Sequence, residues 1–164
     1  MSKVATLSHG PRLDLFGPSV EFLTPPKDVS QNFCVLRGVI PPGLAVPLHS
    51  HPDVEDFYIV SGEVRGVRQG ANGYEWFSAK AGDYVHVPGG EPHGWQNPSA
   101  NEPLVTLIVT TPKLGRFFLE VGRTYTGKPQ PVAPSDLARF VAASKEYGYW
   151  NATPEENEAL GMRL

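Results

Sequence analysis

With 164 residues the chain has the length of one domain with a substantial core, and no second independent domain is expected. Its 14 Lys and Arg against 17 Asp and Glu give a formal net charge of -3, and Arg65, Arg68 and Arg123 are scattered along the sequence. That pattern gives no electrostatic footprint for nucleic acid or an anionic membrane. The single cysteine, Cys34, excludes an internal disulfide framework, and no run reaches the roughly 18 to 20 apolar residues of a membrane span. Met1 to Gly10 lacks the apolar stretch of a signal peptide, so a soluble, cytoplasmic protein is expected.

From Arg12 to about Val109 the sequence alternates short apolar or period-two runs with Gly, Pro and Asn, the pattern of successive strands. The strands expected in chain order are Val20 to Leu23, Phe33 to Ile40, Phe57 to Ser61, Val64 to Arg68, Tyr74 to Ser78, Tyr84 to Val87, His93 to Asn97 and Leu104 to Thr110. Turn chemistry separates them at Pro41-Pro42-Gly43, Ser61-Gly62-Glu63, Gly70 to Gly73, Ala81-Gly82-Asp83 and Pro88-Gly89-Gly90. An all-β sandwich or barrel follows. Beyond Thr111, Leu114, Phe117, Phe118 and Val121 recur at helical spacing before Gly122. Ser135 is placed to cap a second helix with Leu137, Phe140, Val141 and Tyr147 on one face and Gly148 at its end. Thr153-Pro154-Glu155-Glu156 opens a third. The expected organisation is a barrel with an N-terminal arm over 1–111 and a helical extension over 112–164 packed on it.

The segment from Gly43 to Gly62 concentrates His49, His51 and Glu55 within seven residues. Side chains two apart on an extended strand share a face about 7 Å apart, so both imidazoles can address one point. If Pro52-Asp53-Val54 turns the chain, Glu55 returns to the same place from a hairpin-like corner, with Phe57 and Ile59 continuing the inward face. His93, just after Pro88-Gly89-Gly90, is the fourth candidate ligand, and strand parity puts Trp95 and Asn97 inward with it. Three imidazoles and a carboxylate suit one divalent Fe, Mn, Ni, Cu or Zn ion without choosing among them. In octahedral coordination two positions stay open, as Lewis-acid or oxygen chemistry requires.

These stretches resemble both cupin motifs, G-x5-H-x-H-x3-E-x6-G and G-x5-P-x-G-x2-H-x3-N, at every specified position. The resemblance implies an all-β double-stranded β-helix, a jelly-roll barrel with short C-terminal helices. The run from Val109 to Gly122 and the tail to Gly148 are similar to the segments that follow the barrel in bacterial single-domain cupins akin to quercetin 2,3-dioxygenase. That likeness implies a metal-dependent dioxygenase taking O2 and a small aromatic or enolisable substrate, pairing as a homodimer. Glu55 is then a ligand, a general base toward the substrate, or both. Non-redox isomerase, lyase or decarboxylase chemistry, and a non-catalytic ligand-binding module, are the other readings. Phe57, Trp95 and Asn97 are the candidate pocket residues. His86 reads as a surface or core histidine, His9 carries no assigned role, and Cys34 reads as a buried inert thiol. Asp53 and Asp56 read as solvated surface.

Overall fold

The computed structural model describes residues 10–26 and 32–162. His9 and most of the expected N-terminal arm lie outside these residues. The chain forms two antiparallel sheets. One contains β1 (Arg12–Asp14), β2 (Ser19–Phe22), β3 (Cys34–Ile40), β5 (Glu55–Ser61), β8 (Tyr84–Val87), β10 (Leu104–Thr110) and β11 (Arg123–Thr124), in the order β11-β1-β2-β3-β10-β5-β8. The other contains β4 (Ala45–Ser50), β6 (Glu63–Gly70), β7 (Gly73–Lys80), β9 (His93–Gln96) and β12 (Trp150–Asn151), in the order β12-β4-β9-β6-β7. This is a mostly β, double-stranded β-helix architecture with short helices.

The core follows from period-two alternation. Along β10 every second residue, Leu104, Thr106, Ile108 and Thr110, is buried, and β3 and β5 alternate in step with it through Leu36 and Ile59. Phe22, Leu36, Ile59, Val64 and Leu104 are all but fully buried between the sheets. Each contributes about 1.5 to 3 kcal/mol through loss of apolar surface.

All eight expected strands form, with ends shifted by at most two residues. Four others, β1, β4, β11 and β12, carry no comparable alternation. The expected Gly70 to Gly73 turn shortens to Ala71-Asn72, since Gly70 and Gly73 already pair across the β6–β7 hairpin.

Three helices follow the barrel. Thr111 caps α1 (Pro112–Val121), its hydroxyl accepting the Leu114 N–H at 3.2 Å, and Leu114, Phe117 and Val121 are buried. For α2 (Pro134–Tyr147) the cap is Ala133 and not Ser135: Pro134 takes the first helical position, and the Asp136 carboxylate reaches back to the Ala133 N–H at 3.1 Å. Gly148 ends it in the left-handed conformation, φ 75°. The expected apolar face of α2 is not a buried one. Ala143 and Ser144 are buried, while Leu137 and Val141 stay 55% and 59% exposed because they border an open cavity. A third helix, α3 (Pro154–Ala159), begins with a reciprocal cap between Thr153 and Glu156, so Glu156 does more than complement the helix dipole.

The extension is tied to the barrel by charge. Asp14 is fully buried and accepts hydrogen bonds from Arg123 Nη2 at 2.7 Å and Gly17 N at 2.9 Å. Arg123 also donates to Asp136 at 3.1 Å and to the Pro131 carbonyl at 2.6 Å. No helix among the described residues is long and apolar enough to cross a membrane.

Candidate metal centre

Four side chains from three strands and one corner meet between the sheets. His49 is the penultimate residue of β4 and pairs across the ladder with His93, the first residue of β9. His51 follows β4, and Pro52-Asp53-Val54 carries the chain into the opposite sheet, where Glu55 opens β5. The corner is therefore an arch between sheets and not a hairpin, since β4 and β5 do not pair. The turn before His93 docks against this arch: Gly90 N donates to the His51 carbonyl at 2.7 Å, and Gly89 lies so close to the Pro52 carbonyl that a Cβ there would collide with it. Backbone contact thus joins the two ligand-bearing segments before any ion is considered.

One potential ligand atom from each of His49, His51, Glu55 and His93 lies within 4.8 Å of all the others. Glu55 Oε2 is 3.2 Å from His51 Nε2 and 3.1 Å from His93 Nε2. Atoms bound about 2.0 to 2.2 Å from one ion and at right angles around it would be about 2.8 to 3.1 Å apart. Those two separations are close to the edges of such a shell.

The outer ring nitrogens point the same way. His49 Nδ1 meets the Pro47 carbonyl at 2.8 Å, His51 Nδ1 the Asp53 carbonyl at 2.9 Å, and His93 Nδ1 the Glu91 carbonyl at 2.8 Å. A carbonyl only accepts, so each Nδ1 carries the hydrogen, and a neutral ring then presents an Nε2 lone pair inward. Lone pairs facing a carboxylate repel unless a proton or a cation lies among them. The residues therefore fit a divalent ion, with all three tautomers preset by backbone. Its identity stays open between Fe, Mn, Ni, Cu and Zn.

Titration agrees with this placement. Burial, then repulsion from His93 and His51, lowers His49 from 6.5 to about 3, which keeps its ring neutral. For His51 burial pulls downward, but the hydrogen bond and charge of Glu55 together with Asp53 outweigh it and raise the pKa above 6.5. Burial likewise opposes ionisation of Glu55, yet the hydrogen bonds from His51 and His93 hold its carboxyl well below 4.5. In metal-free protein the stabilisation from His51 is complete below about pH 6.5 and is lost as pH rises through its raised pKa. The stabilisation from Glu55 is complete above about pH 4.5 and is lost as pH falls through its lowered one. A metal ion replaces the His51 proton, so uptake at pH 6 is expected to release a proton and affinity to strengthen as pH rises. Calorimetric titrations in buffers of different ionisation enthalpy check this; uptake with no proton release would contradict it.

Behind His51 lies a group that the sequence did not reveal. Asp53 is buried, not solvated, and accepts hydrogen bonds from the Tyr149 hydroxyl at 2.6 Å and from the Thr111 hydroxyl, while its own carbonyl holds His51. Burial and the hydrogen bond to Asp53 raise the pKa of Tyr149, so it remains a protonated donor. Its ring is 5.4 Å from that of His51. Because losing an outer partner of a metal-binding histidine costs about 10- to 100-fold in affinity, Tyr149→Phe is expected to weaken metal binding about tenfold with little change in melting temperature. Competition with a chelator measures it, and unchanged affinity would remove Tyr149 from the site.

The candidate pocket residues separate. Phe57 and Trp95 are buried with ring centroids 4.8 Å apart, and both line a cavity of about 950 Å³ onto which His49, His51 and Glu55 open. Asn97 does not line it. Its Nδ2 donates to the Ile40 and Glu102 carbonyls at 2.9 and 2.8 Å and its Oδ1 accepts the Ser99 N–H, so it braces a loop. His86 is exposed, bound to Asp56 at 2.6 Å on the outer face of β8, and Asp56 also accepts from Tyr84. Cys34 is buried, and burial raises its thiol pKa. Phe117 and Phe118 both line the cavity as well as anchoring α1.

Residues 36–110 match the family profile of the Cupin domain. That match, with the architecture, supports the cupin superfamily. A predicted oxalate decarboxylase of Thermotoga maritima is 29% identical, covering 61% of this chain and 89% of its own at a TM-score of 0.50. An RmlC-like cupin of Shewanella frigidimarina is 19% identical over 62% of this chain and 82% of its own, TM-score 0.50, a likeness of fold alone. The dimethylsulfoniopropionate (DMSP) lyase DddQ of Ruegeria pomeroyi is 26% identical over 49% of this chain, TM-score 0.42, and the chain spans 38% of that protein's length. No curated protein matches by sequence.

Proposed function

We propose that the chain is a metal-dependent enzyme for a small, largely apolar substrate bearing an acidic or enolisable oxygen, and that its reaction is dioxygenation of the quercetinase-like kind. The cavity carries this reading. Its walls are mostly aliphatic and aromatic, the only cationic side chain among the described lining residues is Lys145, and its ligand-bearing end holds His49, His51 and Glu55. A volume of about 950 Å³ is that of a site for a drug-sized molecule.

A bound divalent ion would supply Lewis acidity and, if redox-active, a place for O2 to react. The chain's own residues do the rest. His49, His51 and His93 would hold the ion. Glu55, kept ionised between two imidazoles, can share the ion or accept the substrate's acidic proton. Phe57 and Trp95 give a flat aromatic wall for a ring, and the apolar lining excludes water from the reacting oxygen.

Non-redox decarboxylation or elimination is the second reading, supported by the 29% identity to a predicted oxalate decarboxylase. The large apolar cavity favours an acid bulkier than oxalate for such a reaction. Elemental analysis of protein purified without added metal, followed by O2 uptake with flavonols and diketones in the matched metal form, tests the first reading. O2 consumption with at least one substrate is expected. Carbon dioxide release from aromatic or enolisable acids without O2 consumption would replace it by the second.

A further inference from the structure

Three buried side-chain polar atoms among the described residues have no hydrogen-bond partner: Gln96 Oε1, Arg123 Nε and Ser144 Oγ. Of their parent residues, only Ser144 lines the cavity. It is 4% exposed, in the third turn of α2, and its hydroxyl bonds neither back to its own helix nor to a neighbouring element. A buried hydroxyl without a partner is destabilising, and alanine at the same place would remove that cost while favouring the helix.

The position of the residue is informative. The Ser144 carbonyl accepts the Tyr149 N–H at 2.8 Å, which fixes Ser144 beside the aromatic ring that flanks His51. Neighbouring lining residues Phe117, Phe140 and Val141 are apolar, so the hydroxyl is an isolated polar point in an apolar wall. A site whose buried polar group is satisfied only by the ligand discriminates strongly against ligands that lack the matching group.

We infer that Ser144 determines specificity: it recognises a hydroxyl or carbonyl on the body of the substrate, apart from the acidic oxygen held at the metal end. The ligand class is therefore a ring system or short chain with two oxygen functions separated by apolar surface. This inference rests on the cavity being the substrate site, and is independent of whether the reaction is oxidative.

The test uses the full chain loaded with zinc, with 2-naphthoate and its isomers hydroxylated on the second ring as probes, followed by tryptophan fluorescence or calorimetry. Wild-type protein is expected to bind at least one hydroxylated isomer about fivefold more tightly than 2-naphthoate, one net hydrogen bond. S144A is expected to abolish that preference, to bind 2-naphthoate unchanged, and to melt no lower than wild type. K145M should retain the preference, which separates the hydroxyl from the neighbouring charge. The inference fails if S144A keeps the preference, if wild type prefers no isomer, or if S144A melts lower because its hydroxyl has a structural partner. Failure of every naphthoate to bind would overturn the cavity reading itself, and this inference with it.

Discussion

Replacing His49 and His93 together by alanine is expected to leave a folded chain that retains no stoichiometric metal. The two rings project from directly paired positions on β4 and β9, with centroids 4.3 Å apart, so their loss removes half of the ligand set at once. His51 and Glu55 would remain, and two donors do not enclose an ion. Because loss of an outer partner alone costs about 10- to 100-fold, loss of two direct ligands is expected to weaken binding by more than about a thousandfold. Folding is expected to survive because the main apolar core, Phe22, Leu36, Ile59 and Leu104 among others, is built without either ring. Elemental analysis after gel filtration, together with a cooperative melt, checks both parts. Full metal content in the double variant would sink the ligand assignment.

Asp14→Ala is the second large effect, and it acts on stability instead of metal. The carboxylate is fully buried and accepts from Arg123 Nη2, Gly17 N and, at 3.3 Å, Gln130 N. Its removal leaves the Arg123 guanidinium short of a partner in the interior, which costs about 3 to 5 kcal/mol. At about 2 to 4 °C per kcal/mol for a domain of this size, the melting temperature should fall by about 10 °C. Removing the charge at both ends, Asp14→Ala with Arg123→Met, should recover part of the loss, as coupled neighbours do. A thermal scan of the single and double variants decides it; a single variant within 2 °C of wild type would show that this ion pair does not hold the extension.

Much of this architecture was legible from residue patterns. Strands β3 and β10 announce themselves by strict alternation of branched and aliphatic residues, and β8 and β10 end where turn residues begin. The four converging residues were legible because spacing along a strand fixes direction. Other features depend on partners distant in sequence. β4 is interrupted by Pro47 and has little alternation, and its pairing is supplied by β9 and β12. Asp53 has the sequence signature of a turn aspartate; its burial depends on Tyr149, 96 positions later. Apolar spacing on α2 marked Leu137 and Val141 for a core, because periodicity cannot distinguish a packed face from one bordering a cavity. Ser144 gave no signal, since an unsatisfied hydroxyl is defined by what fails to surround it.

The late strand β12 has a consequence for the order in which this centre can be assembled. Asn151 pairs with His49, and the Asn157 side chain accepts the Leu48 N–H at 2.9 Å across a separation of 109 residues. During synthesis all four candidate ligands leave the ribosome well before the segment that braces the first of them. A nascent barrel would present three imidazoles on an outer strand that still lacks its neighbour, accessible to whichever ion is abundant. Ion selection would then be a kinetic matter of timing and supply, and exchange would slow once the last strand docks. Metal content should accordingly depend on the medium in which the chain is made more than on the medium in which the finished protein is stored.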